Sequence, residues 1–564
     1  MTLRLGRWGK RPSLVLDVVL LGVAGAAAAQ LFTALLGATT RLFLIDFAGY
    51  RPPGLPDEGG VLREVIGPHG LWLIPVAMAL GGLIVGVLVQ RLAPETEGHG
   101  TDTVVHAFHR SDGALRARVT PVKLLASAIT IGSGGAAGRE GPIALASAGV
   151  GSWYASATGR SRADRRRLLL VGTAAGLAAI FRSPVGAALF VVEVLYADVE
   201  FEAGALLPAL LASIIAYALN GVFVGWRPLF RVPGDLLLAR SWDNAWYVVL
   251  GVSAGLVATM VPLVFYGARD AFRLLKIRAE LKPALGGLLA SGLVLVCPQV
   301  LGGGYGWMQE AIDGHLAVGT LLALVLLKPV AMSMTVSSGG SGGVFAPTLF
   351  TGAMLGGLLA AVTHQPAAPF VIVGMAAVFA GSAHVPVATL MMVTEMTGGY
   401  SLLVPAALTV TLSYLVQRRL GVYVKYQSLY EAQVQKRADS PAHLAEHLKI
   451  ALRLLKQRSL PGQSDVGHID LLALLQTGIP VELPGNRRLV LGVLRPQSAP
   501  RELPPAAENG GLAGLGDNTG ILAVVRGETM VMPQRGMTLE PGDRVILVTT
   551  AGELADLQRH IDQW

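Results

Sequence analysis

Long apolar segments dominate the first three quarters of the chain. They run from Leu14 to about Met396 and continue from Leu402 to Val416. A helix that crosses a bilayer needs about 20 apolar residues. Several segments are shorter or are interrupted by glycine and proline, namely Ile143–Trp153, Leu168–Ala179 and Pro184–Leu195. The pattern predicts an all-α polytopic membrane protein with broken, re-entrant helices, because non-helical backbone at membrane depth must be buried in protein or line a polar cavity.

The pattern changes after about Ser440, where polar linkers and short alternating segments replace the apolar runs. Ile521–Val525 and Arg544–Val548 have the composition of β-strands. We therefore predict two domains, a transmembrane domain at 1–435 and a small α+β soluble domain at 436–564.

Composition and charge support a membrane protein. Of the 564 residues, 52% are hydrophobic and only 15% are charged, whereas soluble proteins carry about a quarter. The net charge of +8 does not indicate a nucleic-acid partner, because the basic residues cluster beside apolar segments. Before the first segment lie Arg4, Arg7, Lys10 and Arg11, and after the last lie Arg418, Arg419 and Lys425. The positive-inside rule then predicts an inner-membrane protein with both termini in the cytoplasm. The first apolar stretch is longer than that of a signal peptide, so we expect it to be retained.

An internal repeat is the strongest pattern in the chain. Lys123–Pro142 and Lys328–Pro347 both follow K-x6-T-x3-GG-x2-G-x3-P. A second pair, Ser183–Glu193 and Val385–Glu395, each has a glutamate nine residues after a proline. Two such pairs in register predict two homologous halves of inverted topology, as many membrane transporters have. We assign the halves to residues 14–224 and 246–417.

The glycine-rich loops of the repeat suit an anion. A helix N-terminus presents unpaired N–H groups and a partial positive charge. Glycine lets backbone approach the ion, and proline is tolerated in the first helical turn. Two such loops, each opening a buried helix, form an anion site without a fixed cationic side chain. Close helix packing through small residues explains some of the glycines but not their paired placement.

Several motifs resemble those of the CLC chloride channel and transporter family. They are Gly138–Pro142 (GREGP), Gly343–Pro347 (GVFAP), Glu395–Thr397 (EMT) and the Leu429-Tyr430 pair. The resemblance covers roughly residues 14–435. It implies a homodimer in the lipid bilayer with one anion pore per subunit, chloride or a similar small anion as the transported species, and neither enzymatic activity nor a cofactor.

The resemblance also implies roles for individual residues. Glu140 matches the gating glutamate, which occupies the pore when charged, and an intramembrane carboxylate is a functional candidate on physical grounds as well. A structural Arg139–Glu140 ion pair is the alternative. The implied anion-binding residues are His99, Gly138, Gly141, Val344, Phe345 and Tyr430. Tyr423 and Tyr426 compete with Tyr430, and we interpret Glu193 and Glu395 as structural.

The chain departs from the family pattern at two places. In the stretch Gly98–Asp102, His99 replaces an anion-contacting serine and Asp102 replaces a proline, so selectivity and pH dependence are open. His99, Asp102, His106 and His109 also allow a metal cluster, but we prefer a helix cap at Asp102 and predict no metal. Val194 stands where proton-exchanging members often carry a second glutamate. It cannot carry a proton, which favours a passive channel over the alternative, a proton-coupled antiporter.

The tail resembles the C-terminal regulatory domain of TrkA-type potassium uptake proteins through 521–533 and 539–548. That resemblance implies a small regulatory ligand, and a stabilising dimerisation tail is the alternative. A potassium channel or transporter is suggested by the tail alone, and the chain has no TVGYG-type filter. HExxH, GxSxG and P-loop signatures of enzymes do not occur.

Overall fold

The computed structural model describes most of the membrane part and some of the tail. The described ranges are 12–55, 60–232, 244–437, 440–443, 481–483, 487–493, 501–502, 519–526, 529–531, 537–540, 542–550 and 553. Contacts divide the chain into two compact units. The first comprises residues up to His106 and Gly113–Gln433, and the second comprises Ala107–Asp112 and the residues from Val434 onward.

The described residues contain sixteen α-helices. The first eight are α1 (Pro12–Thr40), α2 (Ile74–Leu92), α3 (Thr101–Arg110), α4 (Val119–Gly132), α5 (Glu140–Ala157), α6 (Arg162–Phe181), α7 (Pro184–Glu193) and α8 (Ala203–Val224). The second eight are α9 (Asn244–Leu274), α10 (Lys282–Val296), α11 (Tyr305–Ile312), α12 (Val318–Val336), α13 (Phe345–Thr363), α14 (Ala367–Ala383), α15 (Pro386–Thr397) and α16 (Leu403–Gly421). A small hairpin of β1 (Tyr50–Arg51) and β2 (Val65–Ile66) lies between α1 and α2.

Eight of the helices in these ranges are long and apolar enough to cross a membrane: α1, α2, α8, α9, α10, α12, α13 and α16. Others are shorter than the about 20 residues of a full crossing; α3, α7 and α11 have 10, 10 and 8 residues. The prediction of an all-helical membrane domain with short, broken helices is confirmed.

The two halves repeat one packing scheme. Helix α5 packs on α6 as α13 packs on α14, and α6 packs on α8 as α14 packs on α16. Helices α7 and α15 pack against each other across the two halves. Gly134 and Gly339, matched in the repeat, have φ angles of 110° and 103°. Only glycine adopts this backbone readily, which explains why both copies keep a glycine at this point.

The second unit contains a five-stranded antiparallel sheet in the order β3-β4-β9-β6-β7. Its strands are β3 (Val481–Leu483), β4 (Arg487–Val493), β6 (Gly520–Arg526), β7 (Thr529–Val531) and β9 (Arg544–Thr550), and a separate pair joins β5 (Arg501–Glu502) to β8 (Thr538–Leu539). Strands β6 and β9 contain the two predicted strand segments and are neighbours in the sheet.

A polar cluster closes the turn before β9. The guanidinium of Arg526 donates to Asp543 at 2.7 Å and to Glu540 at 2.9 Å. The N–H of Asp543 donates to the carbonyl of Glu540 at 3.0 Å, and Gly542 has a φ of 94°. The hydrogen bond from Arg526 holds the pKa of the Asp543 carboxyl below its usual range. This cluster therefore fixes the β8–β9 turn at neutral pH.

Candidate anion site and its gate

Three glycine-rich segments meet where α5 and α13 begin. Gly138 and Gly343 exchange both backbone hydrogen bonds, each at 2.7 Å, in an antiparallel bridge. The N–H of Gly98 donates to Gly340 at 2.9 Å, and a parallel bridge joins Gly98 to Ser341. Antiparallel pairing of two matched loops is what halves of inverted orientation produce. The N-termini of two buried helices thus lie side by side.

Close approach at this junction requires glycine. A Cβ atom on Gly141 would lie 2.0 Å from the carbonyl oxygen of His99. A Cβ atom on Gly343 would lie 2.9 Å from the carbonyl oxygen of Gly138. Any side chain at Gly141 would push the segment before α3 away from α5. The glycines therefore allow three backbone segments to surround one small space.

Backbone donors remain available at the two helix starts. Within the described part of the chain, the N–H groups of Gly141, Val344 and Phe345 have no hydrogen-bond acceptor. They lie at or next to the first turns of α5 and α13, where a helix has unpaired N–H groups. Gly138 differs, because its N–H already donates to Gly343. The geometry thus gives Gly138 a role in joining the loops and does not support anion binding by its N–H.

The carboxylate of Glu140 reaches across to the second half. Its side chain is the first of α5 and is only 1% exposed. One oxygen accepts the N–H of Ala346, in the first turn of α13, at 3.4 Å. The other oxygen accepts the hydroxyl of Tyr305. The carboxylate therefore lies at the N-terminus of α13, which is the position that attracts an anion.

Aromatic rings surround the same region. His99 is 5% exposed, and its ring centroid lies 5.4 Å from that of Tyr430 and 5.9 Å from that of Phe265. Phe345 packs against Phe379 at 4.1 Å. These rings exclude water around the helix starts, and electrostatic interactions are stronger in such a setting.

Among the three tyrosines that follow α16, Tyr430 is the one that lies beside the glycine-rich segments. Tyr430 is buried beside His99 and Thr101. Tyr423 is 85% exposed, and the hydroxyl of Tyr426 donates to Asp270 at 2.7 Å. Only Tyr430 therefore reaches the junction of the glycine-rich segments.

Asp102 is not the helix cap that we expected. Its carboxylate accepts the N–H of Ala432 at 2.9 Å and so holds the segment that carries Tyr430. Nε2 of His99 lies 4.0 Å from Asp102, while Nδ1 is buried and has no hydrogen-bond partner among the described residues. In those residues no group of three or more His, Cys, Asp and Glu side chains is arranged to hold a metal.

Two buried lysines hold the loops in matched positions. The ammonium of Lys123 donates to the carbonyls of Thr96 and Gly98 at 3.0 and 2.7 Å. In the second half, Lys328 donates to three carbonyls: Val300 at 2.8 Å, Leu301 at 3.3 Å and Gly302 at 2.8 Å. The repeat pattern contains both lysines, but sequence reasoning gave them no role. Their charges stabilise backbone carbonyls beside the site.

The glutamates of the second repeat pair cap each other's helices. Glu193, at the end of α7, accepts the N–H groups of Val387 and Ala388 in the first turn of α15. Glu395 accepts those of Val185 and Gly186 in the first turn of α7, and also the hydroxyl of Ser183. Each carboxylate satisfies helix N–H groups that lack partners within their own helix. The geometry agrees with a structural role for both.

A buried carboxylate that the motifs did not indicate lies in the same connection as Val194. Val194 is buried, and its carbonyl accepts Nε2 of Gln433 at 3.0 Å. Glu202, in the same α7–α8 connection, is also buried and accepts the hydroxyl of Tyr196 at 2.8 Å. Its N–H donates to the carbonyl of Val192. Glu202 therefore brings an ionisable group close to the position where Val194 lacks one.

Comparisons with known proteins agree with this geometry. The family described as voltage gated chloride channel matches residues 81–418. A ClcB-like chloride channel protein of Ralstonia nicotianae is 30% identical over 62% of this chain and 82% of its own length. An H(+)/Cl(-) exchange transporter, ClcA of Salmonella arizonae, is 31% identical over 66% of this chain and 81% of its own.

Solved structures share the fold. A CLC-type fluoride/proton antiporter has a TM-score of 0.64 at 20% identity and covers 76% of this chain and 99% of its own. A slow cyanobacterial Cl-/H+ antiporter also has a TM-score of 0.64 at 20% identity, over 74% of this chain and 96% of its own. With the repeat, the paired helix starts and the match over 81–418, the chain belongs to the voltage-gated chloride channel (CLC) family.

Proposed function

We propose that the protein exchanges chloride or a similar small anion for protons across a membrane, with Glu140 as the gate. The observation that carries the proposal is the carboxylate of Glu140 at the N-terminus of α13. The similarity to proteins named H(+)/Cl(-) exchange transporters, and the fold shared with two antiporters, support exchange over passive conduction.

The carboxylate and a transported anion would compete for the same donors. A charged carboxylate and chloride are both stabilised by unpaired N–H groups at a helix N-terminus. In the described structure those donors are the N–H groups of Gly141, Val344 and Phe345. Protonation removes the charge of Glu140, so the side chain loses its advantage and an anion takes its place. Glu140 thus either takes up a proton or occupies the anion's place, and this links the proton flux to the anion flux.

The site binds weakly enough for transit because it uses backbone rather than a cationic side chain. The nearby ammonium groups of Lys123 and Lys328 donate to backbone carbonyls instead. An anion held by N–H groups alone can leave when the next anion arrives. His99, whose backbone lies against Gly141, and the neighbouring ring of Tyr430 complete the proposed path.

A passive chloride channel is the second candidate, and Val194 is the observation that favours it. Val194 is buried and has no ionisable group. Glu193 already accepts two backbone N–H groups, which makes it a poor proton carrier. Exchange therefore needs another inner group, and Glu202, buried beside Tyr196, is our candidate.

The test is a paired flux measurement on the purified protein in chloride-loaded liposomes. Exchange predicts that a chloride gradient drives protons uphill, and that Glu140→Ala abolishes proton movement while chloride still flows. Chloride efflux without proton movement in the unmodified protein would refute exchange and establish the channel.

The inner proton group is tested by Glu202→Gln, with Glu200→Gln as the matched control in the same connection. We expect Glu202→Gln to reduce proton flux at least about tenfold, because an amide does not take up a proton in this pH range. Chloride flux should persist. Normal coupling in Glu202→Gln would exclude this residue as the carrier.

We further propose a homodimer in the inner membrane with both termini in the cytoplasm, as the family resemblance and the basic flanks suggest. The second unit, with its five-stranded sheet, would act as a TrkA-C-like regulatory domain that binds a small ligand. Mass measurement in detergent tests the dimer. Protease access to the tail in sealed, oriented vesicles tests its side of the membrane.

A further inference from the structure

Tyr305 connects the second half of the transmembrane unit to the gate. It is the first residue of α11, in the second half, and its hydroxyl donates to the carboxylate of Glu140. The two residues are 165 positions apart. None of the motifs that indicate the anion site contains Tyr305. The contact nevertheless reaches the Glu140 carboxylate at the paired helix starts.

The phenol ring of Tyr305 has two close neighbours. The Arg139 guanidinium lies 4.7 Å from its centroid, and the ring of Phe230 stacks on it at 6.1 Å with an angle of 28°. A cation over the face of an aromatic ring is an attractive arrangement. The hydroxyl is therefore aimed at Glu140 by a ring that has little freedom to turn.

The loop before Tyr305 is fixed as well. Lys328 donates to the carbonyl of Gly302 at 2.8 Å. Gly304 has a φ of 79°, and a Cβ atom there would lie 2.4 Å from the ring of Phe350. Only glycine adopts this conformation readily and fits this space. The backbone thus places the start of α11 at a defined distance from α5.

We propose that Tyr305 is a positioning residue that holds the charged carboxylate of Glu140 in the pore, and that its hydroxyl sets the pH at which the gate opens. This inference rests on the proposed function, in which Glu140 is the gate. Tyr305 acts only through its hydrogen bond to Glu140.

The direction of the effect follows from hydrogen-bond chemistry. A charged carboxylate only accepts hydrogen bonds, and a bond from a hydroxyl to a charged acceptor is stronger than one to a neutral acid. The hydroxyl therefore stabilises the charged, pore-blocking form relative to the protonated form. Removing it makes protonation easier, so the gate opens at a higher pH.

Other ionisable groups at Glu140 and in the loops next to it are unchanged by this substitution. They are Arg139 from the same loop, Tyr430 from the segment after α16, His99 from the segment before α3, Lys123 from α4 and Lys328 from α12. Each of them affects the pH profile of the unmodified protein and of the variant in the same way. The difference between the two pH profiles then measures the effect of the Tyr305 hydroxyl.

The test is the pH profile of chloride flux for Tyr305→Phe in liposomes. Phenylalanine keeps the ring contacts with Arg139 and Phe230 and removes one oxygen. We expect the pH of half-maximal flux to rise by about one unit, which is a tenfold change in the protonation equilibrium. Flux above that pH should increase by up to about tenfold. Tyr217→Phe, which removes a hydroxyl bonded to the carbonyl of Trp226, is the control and should leave the profile unchanged.

A double variant separates the inference from the function on which it rests. In Glu140→Ala, Tyr305→Phe should have no further effect, because its partner is gone. If Glu140→Ala alone leaves the pH dependence intact, the gating function itself is wrong. If Glu140→Ala removes the pH dependence but Tyr305→Phe only lowers total flux or thermal stability, with an unmoved midpoint, Tyr305 is merely structural and the inference fails.

Discussion

The two halves of the transmembrane unit agree in their supporting residues and differ in the residues at the proposed anion site. Lys123 and Lys328 both donate to carbonyls of the preceding loop. Glu193 and Glu395 both cap the partner half's helix. At the pore the match ends: where the first half has Glu140, the second has Phe345. The residues that the fold needs are therefore repeated in both halves, whereas the residues proposed for transport are not.

We call the four supporting residues, Lys123, Lys328, Glu193 and Glu395, the frame. Physical chemistry explains why they are repeated in the two halves. Both halves break helices inside a membrane, so both leave backbone N–H and C=O groups that need partners. A buried ammonium and a buried carboxylate solve the problem in each half. The proposed anion path, in contrast, needs only one gate. A second carboxylate at Phe345 would put two like charges close together, which is unfavourable.

Loss of a frame lysine should have the largest effect on stability. Lys328→Met removes donors from three buried carbonyls, and Lys123→Met removes them from two. Each hydrogen bond to a charged group is worth about 1.5–3 kcal/mol. We expect both variants to lose at least about 3 kcal/mol, measured as thermal unfolding in detergent.

Lys282→Met is the control for the lysines, because Lys282 is partly exposed and donates to the single carbonyl of Phe272. Lys282→Met should lose clearly less stability than Lys123→Met or Lys328→Met. A tolerated Lys123→Met beside a damaging Lys328→Met would break the comparison, since the frame would then depend on one half.

The glutamate caps should come next. Glu193→Gln and Glu395→Gln keep the shape of the side chain but replace a charged acceptor by an amide. A charged group at a helix N-terminus stabilises by up to about 2 kcal/mol in a partly buried setting. We expect both variants to lose about 1–2 kcal/mol in the same unfolding measurement.

Flux provides the second measurement on the caps. Both variants should retain coupled chloride and proton movement, because neither carboxylate is proposed to carry a proton. Loss of proton movement in Glu193→Gln alone would contradict the equivalence of the two glutamates and return Glu193 to the pathway.

His99 sharpens the comparison at the pore, because the second half has Gly303 at the matching place before its short helix. The buried ring beside Tyr430 has a nitrogen without a partner in the described residues. A hydrogen bond to a charged group is worth at least about 1.5 kcal/mol. We expect His99→Ala to weaken chloride binding at least about tenfold by isothermal titration, and His69→Ala, an exposed histidine, to have no effect. Unchanged affinity in His99→Ala would remove His99 from the anion site.

The sequence predicted the parts of the site that local patterns encode. The repeated Gly134 and Gly339 indicate loops that open helices, and a carboxylate at Glu140 is conspicuous inside an apolar segment. These features depend on neighbours within a few residues. That is why the short helices, and a carboxylate at the start of a buried helix, were predictable from the sequence.

Contacts between distant segments were not predictable in the same way. Asp102 was expected to cap α3, but it accepts the N–H of Ala432, 330 positions away. Tyr305 meets Glu140 from 165 positions away. A residue's position at a helix N-terminus does not determine which distant residue it contacts, because that contact depends on how the two halves pack. One usable signal was missed: both repeat lysines lie in apolar segments, where a buried charge needs a group of carbonyls.

The smallest expected effect concerns the point where the two caps differ. Ser183 adds a hydroxyl bond of 2.6 Å to Glu395, while the second half has Val385 at that position. Ser183→Ala makes the caps alike and should cost about 1 kcal/mol or slightly less, since two N–H donors remain. Ser213→Ala is the matched control, because the hydroxyl of Ser213 is buried without a partner in the described residues. In Glu395→Gln, Ser183→Ala should cost less than it does alone, because the two groups share one interaction. If the losses of unfolding free energy add, the serine stabilises α7 independently of the Glu395 carboxylate. The carboxylate caps of the two halves would then be equivalent, although only one of them has a serine beside it.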